Sequence, residues 1–517
     1  MSKMKQQLII VLVMGTVISG TISASTSYVV TPGTAGVTPT ANYTSWATAA
    51  TNIQDAIDVV GSGGLVLVTN GTYTLDAMLE LTNGITLRSF TNDSVDRDGT
   101  IINGNYLAAS NRCVYLSGVG TVMDGFTVTN GYALDTALSG NGGGVYIDQD
   151  GTVTNCLIAG NEAGVGGGGG IYLNQGGLVT MSTISGNVAT NANAASGGGV
   201  YFFRGGVVTN CLIKNNCSNT GAGVMMIGQP LPDGVLTHST IANNESLVYA
   251  NGQGSAGIGV WFRGTIENCS IISNKITRFS GTSYGAGVNS SYFTVVRDCL
   301  IAYNTGANYG GGIIVAYLST VSNCMIRNNS DGHGAGVLMS DGGVMQNCTI
   351  INNSNAAFVQ GGTARNCLFA DNDAGLNVFS SAIARFENCT VAGNQGVGMS
   401  FRVPAVMDNC IVSGNNSGGD NWSYSEIGTN TVWTNSCTTP MLSGPNDTGN
   451  ITDLPLFKNT SAGNYHLTRA SLCVNAGVDR SWMTGAVDLD GEPRLVGTVD
   501  MGAYELPPPL GTCIIIQ

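Results

Sequence analysis

The chain has 517 residues, only 19 of them basic and 32 acidic, for a formal net charge of −13, and 75 are glycine. That acidic balance excludes a nucleic-acid-binding surface, because phosphate contacts demand basic residues. Hydrophobic residues make up 43% of the chain and recur in register, which excludes intrinsic disorder.

Residues 1–25 read as a secretory signal. Lys3 and Lys5 precede an apolar stretch from Leu8 to Ile18, and small residues follow at Ser23, Ala24 and Ser25. The stretch is too short to span a bilayer, and no other long apolar run follows. The mature chain is therefore expected outside the cell or on its surface, with no transmembrane span. Within residues 26–62, Ile53, Ala56, Ile57 and Val60 lie at helical spacing behind the candidate N-caps Thr51 and Asn52. A short amphipathic helix there would cover the first coil of a solenoid, which otherwise presents an open end.

The segment 63–455 carries one phrase eleven times, as in Val153-Thr-Asn-Cys-Leu-Ile-Ala-Gly-Asn161. The rows centre on Cys156, Ser182, Cys211, Ser239, Cys269, Cys299, Cys324, Cys348, Cys367, Cys389 and Cys410, spaced 19 to 30 residues apart, as in solenoid arrays. Five residues after each centre stands an asparagine: Asn161, Asn187, Asn216, Asn244, Asn274, Asn304, Asn329, Asn353, Asn372, Asn394 and Asn415. An apolar residue lies three before each centre, and Asn precedes the centre in eight rows, replaced by Met181, His238 and Asp298 in the others. Strict alternation would put centre and apolar residue on opposite faces. Both face inward only if the chain bends between them, and asparagine tolerates the left-handed conformation that a bend requires. The second asparagine is expected to turn the chain again and to stack in a hydrogen-bonded ladder.

Glycine-led strands such as Gly142-Gly-Gly-Val-Tyr-Ile147 and Gly310-Gly-Gly-Ile-Ile-Val315 close most coils, glycine suiting a corner with positive φ. Three short strands per coil predict an all-β fold, a right-handed parallel β-helix of about 13–15 coils, each rising roughly 4.8 Å.

Nine of the 14 cysteines occupy the row centre: Cys156, Cys211, Cys269, Cys299, Cys324, Cys348, Cys367, Cys389 and Cys410. Because Ser182 and Ser239 fill the same slot, it reads as a small inward packing position holding reduced thiols. Stacked coils hold neighbouring Cβ atoms roughly 4.8 Å apart, beyond the ~3.8 Å that a disulfide prefers. Zinc is disfavoured by the lack of Cys-x-x-Cys pairs. The sequence leaves open how Cys113, Cys217, Cys437, Cys473 and Cys513 are paired.

Residues two before successive centres should point outward, placing Glu267 beside Arg297 and Arg365 beside Glu387 as surface ladders. Asp93, Asp96 and Asp98 with Gly99, and Asp488 and Asp490 with Gly491, are calcium candidates without the full EF-hand register. They read as turns, and no cofactor is expected. Rows spaced 25 to 30 residues carry extra segments before the glycine strand, whereas rows after Cys348 shrink to 19–22. The long loops hold Tyr249, Phe279, Tyr284 and Tyr309 on one edge, where aromatic rings suit either sugar binding or packing on one another.

The Asn-Cys-x-Ile-x-x-Asn rows and glycine-led strands resemble the pectate-lyase-like β-helix superfamily, built from parallel β-helix repeats, and especially bacterial surface proteins akin to polymorphic outer membrane proteins. Residues 456–506, with Ser471-Leu-Cys-Val-Asn-Ala-Gly477, Asp488-Leu-Asp-Gly-Glu-Pro-Arg494 and Val499-Asp-Met-Gly-Ala-Tyr-Glu505, resemble the choice-of-anchor segment of exported bacterial β-helix proteins. An anchor often follows that segment in such proteins; here a proline-rich tail, 507–517, follows.

The resemblance implies export and leaves two activities open. Gly332-His333-Gly334 matches a polygalacturonase-type Gly-His-Gly, but the accompanying Asp-Asp pair and Arg-x-Lys are missing, and His333 falls just before an ordinary glycine corner. Arg402-Val-Pro404 matches part of a lyase motif whose next arginine position holds Met407. Asp371 and Asp373 are spaced for a carboxylate pair but straddle Asn372, as a solvated turn would. The leading expectation is a non-catalytic exported scaffold binding glycans or other cell-surface molecules. The alternative is a polysaccharide lyase or glycoside hydrolase of the pectin-degrading β-helix type.

Overall fold

The computed structural model describes residues 25–90, 96–108, 111–134, 138–189, 196–228, 233–248, 254–278, 282–330, 332–380, 382–416, 419–425, 428–440, 442 and 447–507. Residues 1–24, Asp93, Tyr249, Phe279 and Cys513 fall outside them.

Three long parallel sheets wrap one apolar core. Sheet A has 16 strands, from Thr26–Val29 to Val432–Thr434; sheet B has 15, from Gly71–Thr74 to Cys437–Thr438; sheet C has 14, from Leu79–Leu81 to Trp422–Tyr424. A short sheet D of six strands, from Tyr132–Ala133 to Lys275–Arg278, follows sheet B in the middle coils. Each coil runs A, B, the D position, C, then back to A, so equivalent residues of successive coils pair in register, as in Val153 with Val179 and Ile158 with Ile184.

The α-helix Ile53–Val60 buries Ile53, Ala56, Ile57 and Val60, and the Asn52 side chain caps it by accepting the Gln54 N–H. It lies between the first and second strands of sheet A, because Thr26–Val29 pairs with Leu65–Val68 ahead of it.

The bend before each row centre is left-handed in all eleven rows. Asn155 has φ 53°, and the three substituted positions adopt the same geometry: Met181 48°, His238 48° and Asp298 56°. The coil thus imposes the conformation, and asparagine is the residue that adopts it at least cost.

The second turn differs from expectation by one residue. The left-handed residue is the one before the ladder asparagine: Gly160, Gly186, Asn215, Asn243, Ser273, Tyr303, Asn328, Asn352, Asp371, Gly393 and Gly414. The asparagine itself is thereby turned inward, and all eleven are at most 1% exposed. The ladder bonds every member to the next coil. Asn304 donates its backbone N–H and its amide to Asn329 Oδ1, both at 3.0 Å, and the amide's other hydrogen to Ile271 O at 3.0 Å. Its own Oδ1 accepts the same pair of bonds from Asn274. Gly131 N–H begins the ladder on Asn161 Oδ1, and Asn421 Oδ1 ends it on Asn415.

Two of the coils outside the eleven rows bend at Gly125 (φ 83°) and Asn435 (φ 46°). Their centres are Phe126 and Ser436, and Gly131 and Met441 stand five residues on in place of asparagine, so the row pattern missed them. The glycine corners answer to close approach. A Cβ on Gly144 would stand 2.7 Å from Gly170 O and 3.0 Å from the Asn161 amide.

The nine centre cysteines are buried free thiols, each donating to the carbonyl two residues back, as Cys299 does to Arg297 O at 3.1 Å. Glu267 and Arg297 pair across neighbouring coils, as do Arg365 and Glu387.

Residues 452–506 fold back along the outer faces of the last coils. The bend asparagines hold this segment: Asn366, Asn388 and Asn409 donate their side-chain amides to Val487 O, Asp500 O and Val478 O, at 2.8, 3.0 and 2.9 Å. Arg480 makes a two-pronged contact with Asp408, at 2.6 and 2.7 Å. Inside the segment, fully buried Arg494 donates to Asp500 O and Gly502 O, and Asp488 accepts N–H groups from Asp490, Glu492 and Glu505.

Asn304→Leu leaves the backbone N–H and amide of Asn274 without their acceptor and removes the amide bonds to Asn329 Oδ1 and Ile271 O in a buried interior. A loss of about 2–4 kcal/mol is expected, read as a lowered midpoint in denaturant unfolding. Burial, followed by repulsion from Asp500, pushes the Glu505 carboxyl up to about 8. The unfolded chain releases that proton near the ordinary value of 4.5, well before the folded chain does. The Glu505 contribution to stability is therefore fully present at acidic pH and is lost as pH rises through the window up to about 8. Hydrogen exchange of residues 485–506 should accelerate between pH 5 and 9 beyond the intrinsic rate, and Glu505→Gln should abolish the excess.

Candidate functional site

Successive residues of a strand point to opposite faces, so the middle residue of each sheet C strand faces outward. In the first coils that residue is tyrosine. Tyr115, Tyr146, Tyr172 and Tyr201 form a column with ring centroids 5.8, 5.1 and 5.0 Å apart and planes within 19° of parallel. Burial pushes the Tyr201 hydroxyl up to about 12 and that of Tyr172 higher, so the column stays neutral. The column was legible as the residue after the apolar one in Val114-Tyr115, Val145-Tyr146, Ile171-Tyr172 and Val200-Tyr201, a register that the row pattern does not display.

In later coils aromatic residues move to the edges of sheet C. On the glycine-corner edge, Tyr284 stacks on Tyr309 at 5.5 Å, Tyr309 on His333 at 5.4 Å and His333 on Phe358 at 5.3 Å. Tyr284 and Tyr309 thus turn ring faces to one another and pack on Ile314, Leu338 and Phe358, leaving edges toward solvent. On the opposite edge, where the chain turns from sheet C into sheet A, Phe262, Tyr292 and Tyr317 stack at 5.7 and 4.4 Å.

This second edge is strained. Tyr292 and Phe293 have φ of 46° and 57°, and Tyr317 and Leu318 have 49° and 63°. Two consecutive left-handed residues make the turn that Asn-Gly or Asp-Gly fits best, and the next coil in register uses Asp341-Gly342 there. The four bulky residues are 41–56% exposed, and Trp261 one coil earlier is 42% exposed.

Where the coils shorten after Cys348, a cleft of about 310 Å³ opens against the outer face of sheet C. His333, Phe358, Asn355, Asn377 and Ser400 are among its lining residues, and the buried Asn377 Oδ1 has no hydrogen-bond partner. Among the described residues no carboxylate, lysine or arginine lines the cleft beside His333. The Arg402 guanidinium lies over the Phe379 ring at 5.5 Å. Asp371 accepts from the Tyr465 hydroxyl, and Asp373 accepts from the Gln395 amide at 3.3 Å, which separates their roles.

The calcium candidates among the described residues bond within the protein. Asp96 accepts from the Asn70 amide at 2.6 Å and from Gly99 N–H at 3.0 Å, holding its carboxyl below the usual range. Asp490 faces His466 Nε2 at 2.6 Å. Among the described residues no three His, Cys, Asp or Glu side chains converge as a metal site, and no helix is long and apolar enough to cross a membrane.

A family model described as "Right handed beta helix region" matches residues 169–353 and 311–446, more than half of the chain. The chain belongs to the right-handed β-helix family. No curated protein matches it. Solved structures similar to it include pectate lyase Pel9A, at 12% identity over 94% of this chain and 98% of that one, with a TM-score of 0.29. The Dettilon tailspike protein is 14% identical over 72% of this chain and 64% of that one, with a TM-score of 0.33. The A-module of the Azotobacter vinelandii mannuronan C-5 epimerase AlgE6 is 12% identical over 78% and 94%, with a TM-score of 0.28.

If the Gly-His-Gly match is incidental, His333→Ala leaves the product of incubation with polygalacturonate unchanged. Hydrolysis by the wild type that this substitution removes would make His333 a catalytic residue.

Proposed function

We propose that this chain is an exported, non-catalytic scaffold that binds a glycan along the two aromatic edges of sheet C, in the coils of residues 258–318. The observation that carries this reading is the strained pair of turns at Tyr292-Phe293 and Tyr317-Leu318. Closing a coil does not require aromatic rings there, since Asp341-Gly342 closes the next one with no large side chain. Left-handed conformation costs a bulky residue about 1–2 kcal/mol, and such strain concentrates at functional sites. These rings face solvent, so what offsets the strain lies in contact with another molecule. Apolar ring surface rimmed by the Tyr292 and Tyr317 hydroxyls and by Arg263, whose guanidinium sits 5.9 Å from the Phe293 ring centre, suits the mixed C–H and hydroxyl surface of a sugar.

On the facing edge, Tyr284 and Tyr309 add ring edges to the same surface. Export rests on Lys3, Lys5 and the apolar stretch Leu8 to Ile18, and the choice-of-anchor likeness of residues 456–506 supports attachment at a cell surface. The lyase or hydrolase alternative finds less support, because among the described residues no carboxylate lines the cleft at His333.

The test replaces the strained pairs with their favoured residues: Tyr292→Asn, Phe293→Gly, Tyr317→Asn and Leu318→Gly together. Unfolding stability should hold within about 0.5 kcal/mol or rise, because strain is relieved. Binding on a glycan array should fall at least tenfold. Undiminished binding places the site elsewhere, and release of reducing or unsaturated sugars by the wild type would favour the enzyme.

A further inference from the structure

Among the buried thiols, one pair stands outside the ladder. Cys437 lies in the last strand of sheet B, its N–H donating to Cys410 O at 2.8 Å. Cys473 lies in the folded-back C-terminal segment, its carbonyl accepting from Met501 N–H at 3.0 Å. Both are 1% exposed, and they share an apolar cluster with Ile411, Leu467 and Met501. Within that cluster the Cys437 thiol donates to Asp453 O at 3.1 Å, with the Cys473 thiol as its neighbour.

The ladder cysteines also neighbour one another, but there the sheet fixes the separation. Stacked parallel strands hold equivalent Cβ atoms about 4.8 Å apart, too far for the ~3.8 Å of a disulfide without breaking the coil. Cys437 and Cys473 belong to different layers, with no backbone ladder between them, so the side chains set their approach. Cys113 is turned instead toward Thr129 O and Asn161 Oδ1.

We propose that Cys437 and Cys473 form a disulfide that fastens the C-terminal segment to the last coil, made by exchange with a glutathione-type disulfide as the segment docks. Cys473, still accessible as its segment docks, acts as the attacking thiolate. Its sulfur attacks one sulfur of the oxidant, giving a mixed disulfide and releasing one glutathione thiolate. Cys437 then loses its proton and attacks the Cys473 sulfur, expelling the second glutathione. In sum, two protein thiols and one glutathione disulfide become one protein disulfide and two glutathione thiols. Burial means that this exchange accompanies folding and does not follow it. The bond covalently joins layers otherwise held by Arg480, the bend asparagines and apolar packing, and it is independent of the glycan reading.

The full chain, reduced and unfolded, is refolded with glutathione disulfide; remaining thiols are then alkylated in denaturant, and peptides are mapped without reductant. The expected result is a protein two hydrogens lighter, with a Cys437–Cys473 peptide as the dominant cross-link and the nine ladder cysteines alkylated. After proteolysis between the two positions, the C-terminal fragment should stay attached on a non-reducing gel and leave on reduction. In Cys473→Ser, Cys437 should be recovered alkylated. Alkylation of both residues in the refolded wild type, stable glutathionylation of either, or pairing of either with a ladder cysteine would overturn the proposal. The wild-type peptide map is decisive alone, so the test stands even where a variant fails to fold.

Discussion

Asn274 has both ends of its amide committed to other coils: its oxygen serves Asn244, while its nitrogen serves Asn304 Oδ1 and Ile241 O. Ten counterparts do the same, so a polar thread runs through an otherwise apolar interior. A buried amide is costly unless every donor and acceptor is met, and each asparagine is met only if the coils before and after it are in place. The ladder makes the coils interdependent, and register errors of even one residue strongly destabilising. The left-handed residue before each asparagine aims the side chain inward, and the glycine corners exist because a Cβ at Gly144 would strike the amide.

The same constraint explains which odd residues the coil tolerates. Met181, Ser273 and Tyr303 occupy left-handed positions that favour asparagine or glycine, and they do so where the coil leaves no alternative. Their strain is distributed and offset by the bonding around them. The strain at Phe293 and Leu318 differs in kind, since those turns close equally well with Asp341-Gly342. Two sorts of strain therefore coexist: one is inherent in being a coil, while the other is elective and confined to an exposed edge.

Architecture was legible in the sequence because solenoid packing is local and periodic. The eleven rows encode inward positions, the bend and the inward asparagine within nine residues. The coils around Phe126 and Ser436 escaped because no asparagine stands five residues after either centre, though their bends at Gly125 and Asn435 obey the rule. The second turn was misplaced by one residue, because asparagine's tolerance of positive φ suggested the turn position, whereas burial of its amide decides its place. The site was far less legible. Asn377 and Ser400 are register partners on adjacent strands of sheet C, yet the row pattern does not announce which way those strands face. The docking of residues 452–506 onto Asn366, Asn388 and Asn409 joins positions up to 121 residues apart, beyond any local pattern.

The side-chain bonds of that docking come from three bends, Asn366, Asn388 and Asn409, of a column extending up the rod through Asn347, Asn323, Asn268 and Asn210. The terminal segment is thus specific in register and blind to length. Duplicating or deleting a whole coil upstream of Asn366 would leave its landing surface unchanged, so a lineage could lengthen or shorten the rod by unequal recombination without reinventing its end. Variation in reach, with a fixed terminus, is the evolutionary freedom that this arrangement grants.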